Sequence, residues 1–342
     1  MGKIINSLVK RLKDILKFFL FLSLSILLFY LVYKDQDIDE LKEVLSTKVD
    51  YFWVGLSLFL GVLSHISRTL RWNIIIKATE GRASFKNSFL AVMIGYFANL
   101  ALPRMGEFTR CGVLSKYEKM SFSRVFGTVV LERVIDLLMF VVLLLFVLIT
   151  QMNMVLDFIR NNPEIREALD IMFGRWVILP VLAGIVLVFY ASRNIIKSLP
   201  FYKKLQGVFV NIGEGFRSIK NLEHKWPFIL HTILIWVLYY LMLYVVFFAF
   251  KFTSGLSPVI GLTVFAMSTI GMVLPVQGGI GAWHFMVIGC LLIYLPDVQN
   301  IGTMARAFAF LAHGSMNFMI VIVGILSVIA LPLLNRKKKI DE

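Results

Sequence analysis

Leu102-Pro103-Arg104-Met105-Gly106-Glu107 breaks an apolar run that extends from Phe85 to Lys116, and Leu274-Pro275-Val276-Gln277-Gly278-Gly279-Ile280-Gly281 breaks a second that extends from Ser257 to Leu295. Both breaks read Leu-Pro-x-x-Gly, and they lie 172 residues apart. Proline removes a backbone donor and pushes the residue before it out of the helical region, so each run reads as two short helices joined by an irregular turn. At nearly the same offset, Arg133 in the segment after the first run is matched by Arg306 in the segment after the second. An internal repeat is the economical reading.

The 342 residues are 58% apolar and 16% charged, with a mean hydropathy of +0.81. No water-soluble domain presents such a surface. A soluble domain of about 100 residues needs a mixed composition, and no polar stretch of that length separates the apolar runs. The chain therefore reads as an integral membrane protein and a soluble catalytic domain is excluded. Its 35 Lys and Arg against 21 Asp and Glu give a net charge of +14, which reads as topology and attraction to anionic lipid rather than as nucleic-acid binding. The two cysteines, Cys111 and Cys290, fall in apolar segments and form neither a disulfide framework nor a metal site.

Full crossings are predicted at about Phe18 to Tyr33, Tyr51 to Ser67, Val125 to Thr150, Trp176 to Ser192, Trp226 to Phe250 and Ile301 to Leu331. The first follows Lys3, Lys10, Arg11, Lys13 and Lys17, lacks a small-x-small cleavage site and reads as a retained helix. The stretch 193 to 225 and the tail Arg336-Lys337-Lys338-Lys339 are strongly basic, which places both with the N-terminus in the cytoplasm if each broken run returns to its own side. The loop 34 to 50, with Asp35, Asp37, Asp39, Glu40 and Glu43, then lies outside. The expected fold is an all-α polytopic membrane protein: about six full transmembrane helices plus two re-entrant broken-helix hairpins in an inverted repeat, a recurring transporter plan. One membrane domain covers 1–342, with repeat 1 at about 51–150 and repeat 2 at about 226–331. The competing arrangement, in which each arm crosses separately, would put short Pro-terminated arms across the bilayer.

Ionised side chains inside such a helix cost roughly 2.5 to 3.5 kcal/mol on the lenient scale and ask for a reason. Glu132, Arg133 and Asp136 fall within about 100° of one helical face and can pair with each other, either to dock this helix or to handle substrate. Arg104, Glu107 and Arg110 repeat every three residues. If a half-helix begins at Gly106 inside the membrane, its N–H groups and positive dipole end face the same spot as Arg104, which suits a phosphate; the alternative is that Arg104 and Arg110 reach the headgroups. Arg68 and Arg71, with Trp72, read as interfacial anchors. Gly278, Gly279 and Gly281 let backbone approach a ligand or serve a tight turn, and they form neither a dinucleotide fingerprint nor a P-loop. Trp283 and His284 read as packing. Arg306, His313 and Asn317 lie within about 40° around one helix axis and must face protein or water, as a headgroup path or as interhelical hydrogen bonds. His231 reads as structural. No nucleophile elbow, metal-spaced cluster or nucleotide loop occurs, so no catalytic residue, metal or cofactor is expected.

Three blocks in order, Asn99 to Arg110, Leu131-Glu132-Arg133-Val134-Ile135-Asp136, and Leu274-Pro275 with Gly278-Gly279-Ile280-Gly281, resemble the signature of the lysylphosphatidylglycerol synthase transmembrane region family, also described as flippase-like domain proteins. The resemblance covers about residues 18 to 331. It implies movement of anionic or aminoacylated phospholipids, or in archaeal relatives polyprenyl-phosphate-linked sugars, between leaflets. Bifunctional members add a cytosolic synthase domain; this chain ends at Glu342, eleven residues past the last expected helix, so the synthase activity is not expected. One departure, Val276-Gln277 where many relatives carry a Ser-Pro-like pair, bears on the polarity of that half of the site.

The expectation is thus a lipid translocase of the bacterial inner membrane, not an enzyme, that binds a phosphate-bearing lipid through Arg104, Gly106, Glu107, Arg110, Glu132, Arg133, Asp136, Gly278, Gly279, Gly281 and Arg306. It allows a homo-oligomer, and transport would be downhill or coupled to protons or potential. The alternative is a polyprenyl-phosphate-dependent glycosyl or headgroup transferase acting at the outer face, where Asp35, Asp37 and Asp39 would hold a metal or supply a base; an ordinary solvated acidic loop also explains them. A non-transporting scaffold is a third reading.

Overall fold

The computed structural model describes residues 2–79, 81–102, 104–152, 224–274 and 276–336. The expected span at Trp176 to Ser192, the loop 153–175 and the basic stretch 193–223 lie outside the described residues, as does the tail beyond Arg336. The chain divides into two compact units, one of residues 1–140 with 223–342 and one of residues 141–222. Of the second, the described part is the end of one helix and the two residues after it.

The described residues are helical, with one isolated antiparallel bridge between Val49 and Phe250. In chain order the helices are α1 (Gly2–Tyr33), α2 (Ile38–Thr47), α3 (Tyr51–Thr79), α4 (Phe85–Ala101), α5 (Met105–Glu118), α6 (Phe122–Thr150), α7 (Lys225–Tyr244), α8 (Pro258–Val273), α9 (Ala282–Tyr294) and α10 (Ile301–Leu334). Tight 3-10 turns at Val245–Ala249 and Gln277–Gly279 extend α7 and precede α9. Among the described residues, five stretches can cross a membrane by length and apolar composition: Tyr51–Thr79, Phe122–Thr150, Lys225–Ala249, Gln277–Tyr294 and Ile301–Leu334. A sixth is the apolar part of α1 taken with α2, which bends away from it by 81°. The expected breaks occur where the prolines lie, since α4 ends at Ala101 and α8 at Val273. The second hairpin differs from expectation in one respect. Its return arm, with the turn at Gln277–Gly279, reaches 18 residues and is not short.

Contacts between chain-distant residues show which helix ends lie together. At one end, Arg306 Nε donates to Val32 O at 2.7 Å, Glu40 accepts from Asn300 and Thr303 at 3.1 and 3.0 Å, and Asp50 N donates to Ala249 O at 2.9 Å. This end gathers the close of α1, the start of α3, the close of α7 and the start of α10. At the other, Asn87 Nδ2 at the start of α4 donates to Glu118 Oε1 at the close of α5 at 2.6 Å and exchanges bonds with Asn335 after α10. Lys77 at the close of α3 meets His224 before α7 at 2.9 Å. The α4–α5 hairpin therefore enters from this second end, while α8 and α9, joined to α7 and α10 at the first end, enter from the opposite one.

The two tips meet each other. Arg104 Nη2 reaches Val273 O at 3.5 Å, and Gly278 lies so close to Leu100 that a Cβ at 278 would stand 2.6 Å from Leu100 Cδ2. The order long helix, broken hairpin, long helix thus occurs twice in opposite directions, as α3 to α6 and as α7 to α10. Within the first hairpin the arms touch at Gly106 and Gly95, where a Cβ on Gly106 would run into Gly95 O and Asn99. A core of Trp72, Ile76, Ala91, Val92, Cys111, Leu114, Val125 and Val129 joins α3, α4, α5 and α6. The outward residues Leu137, Leu138, Val142, Leu145, Phe146 and Ile149 of α6 are large, apolar and exposed, as a lipid-facing surface requires.

Candidate functional site

Glu132 is fully buried in α6 and is the centre of the site. Its Oε1 accepts from Arg68 Nε at 2.8 Å and Arg71 Nη2 at 3.0 Å, and its Oε2 accepts from Arg110 Nη2 at 2.8 Å. One turn on, Asp136 Oδ2 accepts from Arg68 Nη2 at 2.5 Å and Oδ1 from Arg71 Nη2 at 2.7 Å. Two arginines a turn apart on α3 thus face two carboxylates a turn apart on α6, which helical periodicity allows when long arginine side chains bridge the two helices. Arg68 also donates through Nη1 to the hydroxyls of Tyr96 on α4 and Tyr239 on α7, the latter at 2.9 Å, and those hydroxyls lie 3.0 Å apart. Arg110 stacks over the Trp72 ring at 4.8 Å, and Trp72 Nε1 donates to Thr128 Oγ1 at 2.8 Å.

Counting along the 29-residue α6 from Phe122 at 1.5 Å per residue puts Glu132 about 15 Å in from the helix end, well inside an apolar helix long enough to cross a membrane. Ionised groups buried in such a helix are tolerable only when mutually satisfied. Arg133, in contrast, keeps 43% of its side chain exposed and stands 3.4 Å from Asp136 and 3.7 Å from Glu132. Arg68, Arg71, Arg110 and Arg133 set four guanidinium groups against the two carboxylates, which leaves two positive charges in excess.

Beside this network lies a pocket of about 60 Å³, lined among others by Arg68, Tyr96, Asn99, Glu107, Arg110 and Arg133. That is room for about two water molecules or a small polar group. Gly106 forms part of its wall. The start of α5 stands there as expected, but its Gly106 N–H is already bonded to Asn99 Oδ1 at 2.7 Å, so the last turn of α4 supplies this cap. Glu107 Oε2 is buried in this wall without a hydrogen-bond partner.

The structure brings together Gly106, Glu107, Arg110, Glu132, Arg133 and Asp136. It places the remaining expected residues elsewhere. Arg104 is exposed, holds a left-handed backbone with φ 63°, and its guanidinium meets the carbonyl at the close of α8. Gly278, Gly279 and Gly281 have φ of 56°, 76° and 83° and press against Leu100, Met272 and the backbone at Leu28 and Phe29, so the space a side chain would need is filled by protein. Gln277 is buried and bonded to Ser25 on α1 at 2.6 Å, which ties the second break to the first helix. Arg306 is bound to the close of α1.

Arg68 and Arg71 correct the sequence reading. They are not interfacial anchors; they are 5% and 0% exposed, with Trp72 fully buried beside them, because the carboxylates of α6 offer compensation that single-helix reasoning does not see. A signal was present in the one-turn spacings, Arg68 with Arg71 at three residues and Glu132 with Asp136 at four. Tyr96 and Tyr239 carried no such signal. His313 stacks on Trp283 at 4.8 Å, lies edge-on to His284 at 4.9 Å and approaches Asn317 at 3.3 Å. His231 Nδ1 meets Ser67 Oγ at 3.0 Å. Asp37 caps α2 through Asp39 N at 2.8 Å, and the exposed Asp39 pairs with Lys42 at 3.1 Å. Among the described residues, no group of three or more His, Cys, Asp or Glu is placed to hold a metal ion.

The model of one protein family, the lysylphosphatidylglycerol synthase TM region, matches residues 15–324 of the chain. The chain belongs to that family. Membership agrees with the resemblance carried by its three sequence blocks and with a multi-pass membrane protein. The chain is also similar to a UPF0104 membrane protein of Methanocaldococcus jannaschii, 39% identical over 111 residues, which is 32% of each chain. A second UPF0104 membrane protein, from Methanothermobacter thermautotrophicus, is 24% identical over 266 residues, 69% of this chain and 73% of that one. The match thus spans about a third of the first relative's length. Both relatives are archaeal, so a bacterial host does not follow from them. No solved structure matches.

Proposed function

We propose that this family member is a lipid translocase of the cell membrane, moving a phosphate-bearing lipid between leaflets. The candidates are an anionic or aminoacylated phospholipid and a polyprenyl-phosphate-linked lipid. The observation that carries the reading is the surplus of guanidinium charge, two over Glu132 and Asp136 and one when Glu107 of the pocket wall is counted, held within apolar helices beside a pocket, with Arg133 as the half-exposed member. A structural ion cluster needs only neutrality, whereas a cluster with surplus positive charge in a low dielectric attracts an anion. The headgroup phosphate would bind Arg133, Arg68 and Arg110. The acyl chains would stay in the bilayer beside the exposed apolar residues Met105 and Phe108 of the first tip and Val273 and Leu274 of the second. Rocking of one inverted half against the other would alternate access.

The end at which α4 begins is the cytoplasmic one in this reading. Lys77, Arg82, Lys86, Lys116, Lys119 and Arg124 fall there, and Asp35, Asp37, Asp39, Glu40 and Glu43 fall at the other.

The test is leaflet exchange of fluorescent anionic and zwitterionic phospholipids in proteoliposomes, read by dithionite quenching. Wild type should let quenching proceed beyond the outer-leaflet fraction in a lipid-selective way, and Arg133→Gln should slow it by about tenfold, the loss of one charge-assisted contact. No protein-dependent exchange of any phospholipid or polyprenyl-phosphate lipid would overturn the reading.

A further inference from the structure

Glu107 stands apart from the other carboxylates of the site. Glu132 and Asp136 are saturated by Arg68, Arg71 and Arg110, whereas Glu107 lines the pocket and buries Oε2 with no partner. Its backbone is held in place: the residue before it, Gly106, is clamped between Gly95 and Asn99, which keeps the first turn of α5 against the wall. The four arginines and two saturated carboxylates leave two positive charges, and Glu107 subtracts one. An anion entering the pocket therefore meets one net positive charge and, beside it, a carboxylate that repels any second negative charge.

We infer that Glu107 sets the charge selectivity of this pocket: it admits a singly charged phosphodiester and turns away a doubly charged phosphomonoester. A phosphodiester has one ionised oxygen, which the arginine side can satisfy while its esterified face lies toward Glu107. A phosphomonoester carries close to two charges above pH 7 and brings a second ionised oxygen against the carboxylate. The inference deepens the translocation reading by naming which phosphate chemistry the site accepts, and it rests on that reading only for the ligand being a lipid.

The experiment measures binding to the full-length protein in detergent at pH 8. Its ligands are dihexanoyl phosphatidylglycerol (a phosphodiester), dihexanoyl phosphatidic acid (a phosphomonoester), inorganic phosphate and chain-free glycerophosphoglycerol. Wild type should bind the phosphodiester lipid about tenfold more tightly than the phosphomonoester lipid. Glu107→Gln should abolish or reverse that preference, chiefly by gaining affinity for the phosphomonoester. Glu107→Asp, which keeps the charge, should retain it and guards against misreading a folding defect. Equal affinities in wild type, or an unchanged preference in Glu107→Gln, would overturn the inference. A Glu107-dependent preference accompanied by no leaflet exchange in vesicles would leave the inference standing and overturn translocation. Binding of the chain-free diester as tight as that of the lipid, with the same dependence on Glu107, would support the charge rule and assign the site to free phosphodiesters.

Discussion

Arg110 on α5 donates to Glu132 on α6 across 2.8 Å, with both side chains buried, and this bond pins the return arm of the first hairpin to the following long helix. Glu132 is shared with Arg68 and Arg71, so the same carboxylate fixes three helices at once. Neutralising it leaves three buried guanidinium groups with only Asp136 to balance them. Glu132→Gln, which keeps the shape and removes the charge, should cost about 3 to 5 kcal/mol, the range for a broken buried ion pair. Denaturant or thermal unfolding in detergent checks this, and a change below about 1 kcal/mol, the range of surface pairs, would show that the network is not structural.

Arg133→Gln should separate stability from activity. Its guanidinium is the half-exposed one and the more distant from both carboxylates, each of which keeps shorter bonds to other arginines. The midpoint of unfolding should stay close to wild type, shifting by less than about 1 kcal/mol as for an exposed pair, while leaflet exchange falls. A variant as unstable as Glu132→Gln would instead make Arg133 part of the scaffold.

Two glycines of α5 should respond in opposite ways. Gly106→Ala would drive a methyl into Gly95 O and Asn99, forcing the hairpin arms apart. Gly112, six residues further along the same helix, has nothing within 4 Å of an added Cβ. Gly112→Ala should be neutral or stabilising by up to about 1 kcal/mol through helix propensity. The yield of monodisperse protein and its unfolding midpoint report both, and tolerance of Gly106→Ala would mean the arms do not pack this closely.

The meeting of the tips can be tested by rescue. Gly278→Ala collides with Leu100 and adopts φ 56°, so it should destabilise, and Leu100→Ala should restore part of the loss by opening the space. Rescue is expected to be partial, because the left-handed backbone still costs roughly 1 to 2 kcal/mol for a residue with a Cβ. Strictly additive effects in the double variant would place Leu100 and Gly278 out of contact.

Cysteine labelling reads the topology. Single cysteines at Lys86 and Lys119 should react with a membrane-impermeant maleimide from one side, and those at Ser254 and Asp297 from the other, since each pair flanks one hairpin. Opposite-side labelling within either pair would mean that its two arms together cross the membrane once and that the run does not return to its own side.

Much of the fold was legible in the chain itself. Apolar length specifies α3, α6, α7 and α10, and the Leu-Pro-x-x-Gly pair marks both breaks, because proline and glycine act on local backbone geometry that needs no partner. The charges of α5 and α6 announced the site for a similarly local reason: an ionised group in an apolar helix is costly wherever the helix ends up. Compensation is not local. That Arg68 and Arg71 pair with Glu132 and Asp136, that Tyr96 and Tyr239 join them, that Arg104 turns to the opposite hairpin and that Gly278 to Gly281 press on protein all depend on which helix faces lie together. Those faces are chosen by packing and by charge balance between segments more than sixty residues apart, as Arg68 and Glu132 are. The sequence therefore determined that buried charge and broken helices exist here, and the tertiary structure alone decided which charges are satisfied and which, Arg133 and Glu107, are left facing the pocket.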